Sequence, residues 1–295
     1  MVFAAIDIGS NAIRLLFCRV YVLDGKPHFN KEELFRMPIR LGEDVFVNGK
    51  ISDQKIERLI WALKGYSELI KAYGVISYRA VATSAMRDAS NGLEIIEKVK
   101  AESGLNVEII DGKNEAKLVF SNHIEEILNP KHAYLYIDVG GGSTELTLYY
   151  DNKVMAAKSF NVGTVRMILE KVDKSELEEM KSWIKRNTSG IHPLYGIGSG
   201  GNINKIFKMS AKKETKHLSY DRLKNIYDML CSYTFKERIE RFDLKPDRAD
   251  VIIPAAKIFL SVMKNADIEK VFVPQVGLSD GLVHQLYENY IKTEL

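Results

Sequence analysis

The chain has 295 residues, 46% of them hydrophobic, with 42 Lys and Arg against 39 Asp and Glu for a formal net charge of +3. That length suits two domains with sizeable cores. The balanced charge gives no argument for a nucleic-acid partner, and no apolar run approaches the roughly 18 residues that a membrane span needs.

Two cysteines, Cys18 in an apolar strand and Cys231 in a helix, read as buried thiols of a reducing compartment rather than a disulfide framework. The apolar N-terminal stretch has no basic lead and is interrupted by Asp7, Asn11 and Arg14, so it does not read as a secretory signal. The expectation is a cytoplasmic protein.

The chain opens on Ile6-Asp7-Ile8-Gly9-Ser10-Asn11, an apolar strand that ends in an Asp, crosses a small-residue turn and resumes as an alternating segment. This pattern predicts a β-hairpin over 3–8 and 13–22, with a third strand over 28–36 after Asp24-Gly25. Ile56, Leu59, Ile60, Leu63, Tyr66, Leu69 and Ile70 follow at helical spacing, with Ser52 or Asp53 as the cap. Strand and helix then alternate: strand 76–82, helix 91–103 ending at Gly104, strand 107–110, and helix 115–128 stopped by Asn129-Pro130.

Ala82-Thr83-Ser84-Ala85-Met86-Arg87-Asp88 lies at the C-terminal end of a strand, the edge where open α/β sheets bind ligands. Arg87 can clamp phosphate oxygens there or simply pair with Asp88. Glu115 opens its helix, where a carboxylate is stabilised as the anion and can accept a proton from water or cap the helix. Its position alone favours the capping role.

The same order returns in the second half. Ile137-Asp138-Val139-Gly140-Gly141-Gly142-Ser143-Thr144-Glu145 repeats the first turn, with strands over 134–138, 144–150 and 153–160. A helix over 175–187 capped by Ser175 and a strand over 194–197 follow, an internal repeat of topology.

That strand runs into Gly198-Ser199-Gly200-Gly201 and a helix over 201–209, a strand, loop and helix N-terminus suited to an anion. The run Lys205, Lys208, Lys212, Lys213, Lys216 reads as a solvated face, or as a means of steering a long polyanion. Helices are expected over 219–232, 234–242 and 248–264, the last kinked near Pro254. A strand over 271–274, a turn over 275–281 and a helix over 282–293 close the chain.

In both glycine turns, successive N–H groups can form an anion nest, with Ser10, Asn11, Ser143 and Thr144 as side-chain donors. Asp7 and Asp138 would repel a phosphate directly, so a divalent metal or an ordered water between them is the natural arrangement. There is no HExxH, CxxC or Walker A pattern, so chemistry is expected to fall to carboxylates, backbone amides and Arg.

The two turns, together with Ala82-Thr83-Ser84-Ala85-Met86-Arg87, Asn114-Glu115-Ala116 and Gly277-Leu278-Ser279-Asp280-Gly281, resemble the exopolyphosphatase/guanosine pentaphosphate phosphohydrolase family across essentially the whole chain. The resemblance implies an α/β fold of the actin-like ATPase superfamily, two ribonuclease-H-like domains flanking a cleft. Their expected bounds are 1–122 and 123–283, with helix 284–295 packing on the first.

It further implies hydrolysis of the terminal phosphoanhydride of inorganic polyphosphate or of pppGpp with a divalent metal, usually Mg²⁺. Glu115 would be the general base, reversing the capping preference. Arg87, Ser10, Asn11, the Gly140, Gly141 and Gly142 amides, Ser143, Thr144 and Gly200 would bind phosphate. Asp138 and Glu145, and Asp7 beside them, would hold the metal.

Many relatives have a second Glu where this chain has Asn114, which bears on metal preference or activity. Long relatives add a C-terminal helical module, so shorter substrate chains are expected here. A non-catalytic sensor of the same anions is the alternative class, and a homodimer is the default assembly.

Overall fold

The computed structural model describes residues 1–120, 129, 131–151, 153–210 and 217–294. They form two compact units, Met1–Asn122 with Leu278–Leu295, and His123–Gly277. No helix among the described residues is long and apolar enough to cross a membrane.

In the first unit β1 (Val2–Ile8), β2 (Ile13–Leu23) and β3 (Lys26–Met37) make an antiparallel meander. Asp24 and Gly25, both at positive φ, turn β2 into β3. On the other side of β1 lie β4 (Ser77–Ala82) and β5 (Val107–Ile109), both parallel, giving the order β3-β2-β1-β4-β5. All seven residues of β1 are buried, as a central strand covered on both faces requires.

The helices are α1 (Leu41–Asn48), α2 (Asp53–Tyr73), α3 (Ser84–Asp88), α4 (Gly92–Ser103), α5 (Gly112–Phe120) and, from the chain's end, Leu278–Glu294. Helix α2 buries Ile56, Leu59, Ile60, Leu63, Tyr66 and Ile70, the stripe its spacing predicts, and stops at Gly74 with φ 59°. Ser52 stands at its N-cap position, but its hydroxyl is engaged with Asp44. Helix α1 and helix α3 were not anticipated: Gly42 and the flanking Pro38 obscure the first, and the second is a single turn following a strand. Of the helix expected over 115–128, residues 121–128 lie outside the described residues.

The second unit repeats the meander with β6 (Ala133–Val139), β7 (Thr144–Tyr150) and β8 (Lys153–Phe160). Strand β9 (Leu194–Ser199) runs parallel to β6, β11 (Lys270–Phe272) runs parallel to β9, and β10 (His217–Ser219) closes the edge, in the order β10-β11-β9-β6-β7-β8. Around this sheet stand α6 (Thr164–Ile168), α7 (Lys174–Thr188), α8 (Gly201–Met209), α9 (Tyr220–Ser232), α10 (Phe235–Phe242), α11 (Pro246–Ala249) and α12 (Ile252–Asn265). Helix α12 supplies Ile252, Ala255, Ala256, Phe259, Val262 and Met263 to a core shared with Leu135, Ile137 and Val271.

Several expectations are corrected. Helix α7 is capped by Asp173, whose side chain accepts from the Ser175 amide, not by Ser175. The helix expected over 248–264 is two, α11 and α12; Pro254 lies in the first turn of α12, where its missing N–H costs nothing and no kink is needed. Cys231 is exposed on α9, whereas Cys18 is buried. Asn152 and the lysines at 212, 213 and 216 lie outside the described residues.

The Gly277–Gly281 segment is no turn. Helix α13 (Leu278–Glu294) begins inside it and belongs wholly to the first unit. The unit boundary therefore falls before Leu278 rather than after residue 283. Leu278, Leu282 and Val283 enter a core with Phe3, Ala5, Leu16, Val81 and Leu118, and Phe3 meets Tyr287 and Tyr290 edge-on. Leu282 is fully buried. Leu282→Ala should therefore cost about 2–5 kcal/mol, read as a fall in urea midpoint; a loss near zero would mean α13 is not part of this core.

Burial, with the negative charge of Asp280 beside it, pushes the Cys18 thiol up to about 12 from an ordinary 9.0. The folded state thus holds that proton where the unfolded chain has lost it, so stability is removed as pH climbs above the ordinary thiol range. At pH 8 a thiol-labelling disulfide should modify Cys231 alone in the native protein and both cysteines in denaturant; native labelling of Cys18 would contradict its burial.

Candidate functional site

Strands β1, β4 and β5 end side by side, and hydrogen bonds from the next segments stitch their ends together. Thr83 N donates to Ile8 O at 3.1 Å and Ile110 N to Ala82 O at 3.0 Å. This edge carries the Asp7 hairpin, the Thr83–Arg87 turn and the Asp111–Glu115 turn. In the second unit the corresponding edge carries the Asp138 hairpin and the Ser199-Gly200 turn, because Asp138 lies level with Ser199 in the β6–β9 pair.

The two hairpin turns are built alike. Gly9 N donates to Ala12 O at 3.1 Å, and Gly140 N to Ser143 O at 2.9 Å. Behind each turn sits the start of a short helix. In the first, Gly42 N donates to Ser10 O and Arg40 N to Asn11 O. In the second, the amides of Thr164 and Val165 reach Gly140 O and Gly141 O, while Arg166 Nε donates to Gly142 O at 2.7 Å.

A trans peptide points its N–H opposite to its C=O. Carbonyls held from behind therefore turn the amides of Asn11 and Ala12, and of Gly141, Gly142 and Ser143, toward the other side. Runs of amides so directed make an anion nest. The close packing depends on glycine: a Cβ at Gly163 would lie 2.4 Å from Gly141 O, and one at Gly42 would lie 3.1 Å from the Ser10 Cβ. The α1 and α6 contributions escaped sequence reasoning; the available signal was a glycine opening a polar turn after the third strand of each repeat.

The Asp positions differ between repeats. Asp7 stands across the ladder from Arg14 and forms an ion pair with it. Asp138 stands across from Glu145, a second carboxylate, itself 3% exposed and accepting a hydrogen bond from Ser159 Oγ at 2.7 Å. Like charges directly opposite on a ladder are unfavourable, and a divalent cation relieves them.

Among the described residues no group of three His, Cys, Asp or Glu is placed to hold a metal. Mg²⁺ needs no such cage, since it is commonly held by one or two carboxylates with water and phosphate oxygens completing its shell. Asp138 and Glu145 fit that requirement. The Arg14 ion pair argues against Asp7 as a metal ligand.

Gly200, at φ 105°, passes so near Asp138 that a Cβ there would lie 3.2 Å from Oδ1. Thr144, expected to bind phosphate, is fully buried and its hydroxyl donates to Val162 O, so that hydroxyl is engaged within the fold. Ser143 is 2% exposed and offers its amide to the nest.

In the first unit, Arg87 Nη1 donates to Ile110 O at 2.7 Å and lies 3.9 Å from Glu115 Oε2, with Asp88 at the 4.0 Å limit from Nε. Backbone and Glu115 thus position the guanidinium, more than the neighbouring Asp88. The cap of α5 is Asp111, whose Oδ1 accepts from Asn114 N at 2.7 Å while its carbonyl accepts from Glu115 N. Glu115 is left out of the capping position and lies buried beside Arg87. Among the described residues the buried Ser10 and Ser84 hydroxyls find no hydrogen-bond partner, a cost of about 1–3 kcal/mol each that an oxyanion would remove.

Within the first unit a nest lies at the sheet edge that also carries a guanidinium, and within the second a nest lies beside a pair of carboxylates suited to Mg²⁺; each arrangement suits a phosphate-type anion. The Ppx/GppA phosphatase family model matches residues 35–289, and the chain belongs to that family. The bifunctional 3-dehydroquinate synthase/phosphatase of Fusobacterium nucleatum is 31% identical over 88% of this chain, which spans only 43% of that protein's length. Exopolyphosphatase 2 of Mycobacterium tuberculosis is 26% identical over 96% of this chain and 98% of its own. The Aquifex aeolicus Ppx/GppA family member superposes with a TM-score of 0.76, at 27% identity and 98% coverage of both chains. The fold is thereby the two-unit, actin-like α/β architecture, and the protein falls among phosphoanhydride hydrolases.

Gly163→Ala should push the Gly140–Gly142 turn out of register and weaken tripolyphosphate binding about tenfold by calorimetry, a loss of about 1.4 kcal/mol. Unchanged affinity would show that the nest does not hold phosphate.

Proposed function

We propose that the protein is an exopolyphosphatase, releasing the terminal phosphate of inorganic polyphosphate by attack of a water that Glu115 deprotonates. The observation that carries this reading is Glu115, buried 3.9 Å from the Arg87 guanidinium at the strand edge where Ser10 and Ser84 present hydroxyls unpaired among the described residues. The curated relative of matching length is named an exopolyphosphatase, which supports the substrate class.

In the proposed step the water oxygen bonds to the terminal phosphorus as the bridging P–O bond breaks. The water proton passes to Glu115, and the shortened chain leaves with the bridging oxygen. Arg87 and the amides of the nest stabilise the equatorial oxygens, where charge is spread in phosphoryl transfer. The two hydroxyls orient the phosphate. A Mg²⁺ held by Asp138 and Glu145 would supply charge neutralisation to the phosphates. The compound pppGpp presents the same anhydride, and comparing kcat/KM on the two substrates ranks them.

Glu115→Gln should lower kcat for phosphate release about 10²–10⁴-fold, the usual contribution of a general base, while KM stays within about threefold. Turnover equal to the parent would remove Glu115 from the role, and ligand binding without turnover in the parent itself would favour a sensor. Separately, chelation should stop release, Mg²⁺ should restore it, and Glu145→Gln should raise the Mg²⁺ concentration needed for half-maximal rate. Full activity in chelator would exclude the metal.

A further inference from the structure

The helical layer of the second unit has a basic depression that the proposed chemistry does not use. Its volume is about 430 Å³, and its walls include Lys181 of α7, Tyr220, Lys224 and Tyr227 of α9, and Lys257 and Lys264 of α12. None of these residues lies on the turns that follow β6 or β9. Lysines on a helix are ordinarily a solvated face. Here four converge on one concavity, in a chain whose net charge is only +3.

Lys181 and Lys224 have carboxylate neighbours on their own helices, Glu178 at 2.7 Å and Asp228 at 2.5 Å, both pairs solvent-exposed and weak. Lys257 and Lys264 have no acidic partner among the described residues, and both are exposed. Seven residues apart on α12, they stand about 10 Å from each other along the helix axis, with Ser261 between them on the same wall. Tyr220 and Tyr227 face them at the same seven-residue spacing. Burial, then a hydrogen bond with Cys231, raises the Tyr227 hydroxyl above its ordinary pKa.

Four lysines round one depression, two of them without an acidic partner among the described residues and about 10 Å apart along a helix, suit a linear, multiply charged anion better than a compact one. We propose that the α9–α12 groove is a second binding site for polyphosphate-type anions, separate from the strand-edge site. Its chemistry is the same whether the ligand is a remote stretch of the substrate chain or a separate polyphosphate molecule. The chemical class rests on the proposed function; the existence of the site does not.

The test is the Lys257→Glu/Lys264→Glu protein beside its Lys→Gln counterpart, with a thermal melt to confirm folding. KM is measured on long-chain polyphosphate and on tripolyphosphate, and tripolyphosphate binding is measured by calorimetry. If the groove holds the substrate's own chain, KM for long chains rises about tenfold, less in the Gln protein, while kcat and KM for tripolyphosphate stay put. If it holds a separate molecule, both KM values stay and one of two calorimetric equivalents of tripolyphosphate disappears. Parental KM values together with unaltered calorimetric stoichiometry would overturn the proposal. Absence of hydrolysis by the parent protein would defeat the functional reading instead, and calorimetry with long-chain polyphosphate would still decide the groove.

Discussion

The feature on which the site depends is the contact of a short helix with the back of each glycine turn. A hairpin tip left to itself can rotate its peptides, and a nest exists only while successive amides point the same way. The amides of Gly42 and Arg40 fix the first turn, and Thr164, Val165 and Arg166 fix the second, by taking carbonyls that would otherwise be free to turn. The cost is steric: a Cβ at Gly163 would overlap the Gly141–Gly142 backbone it braces, and one at Gly42 would press on the Phe46 ring and on the Ser10 Cβ. This is preorganisation by backbone amides and the Arg166 side chain, available before any ligand arrives.

The repeat has kept its frame and changed its charges. Asp7 and Asp138 occupy the same place at the end of the first strand of each meander, and each faces a residue across the ladder. Facing Arg14, Asp7 is neutralised inside its own hairpin. Facing Glu145, Asp138 belongs to a pair of carboxylates placed directly opposite on the ladder, a donor set of the kind Mg²⁺ takes. One substitution on an otherwise equivalent ladder thus separates a structural ion pair from a candidate metal site, which is why a motif shared by both halves does not assign the same role to both.

Much of the fold was legible because its determinants are local. Asp151, at positive φ, marks the break between β7 and β8, the spacing of threes and fours marks α2, and Gly74 and Gly104 at positive φ end their helices. The failures occur where the decisive partner is distant in sequence. The first turn of helix α13, Leu278–Gly281, reads as part of a turn over 275–281 until Leu278 is seen to be buried against β1 and α5. Cys231 reads as core because its helix is amphipathic, yet it lies on the exposed side. Thr144 reads as a phosphate ligand by its place beside Ser143, but alternation along β7 turns it inward to Val162. The helices α1 and α6 are too short to show a period, so their action on the turns is invisible without coordinates.

Glu115 shows how a first-turn carboxylate can be relieved of capping its own helix. A first-turn carboxylate is ordinarily drawn to the free amides of its own helix. In α5 that demand is met by Asp111, through its carbonyl and its Oδ1. Relieved of the cap, Glu115 stands one position further into the helix and beside Arg87, whose guanidinium is in turn anchored on Ile110 O. The anchor belongs to the segment that joins β5 to α5, so the acid and the cation are referenced to the same stretch of backbone. Their separation is then set by the sheet edge rather than by flexible side chains, which is what a step requiring an aligned water and a stabilised phosphate demands of the protein.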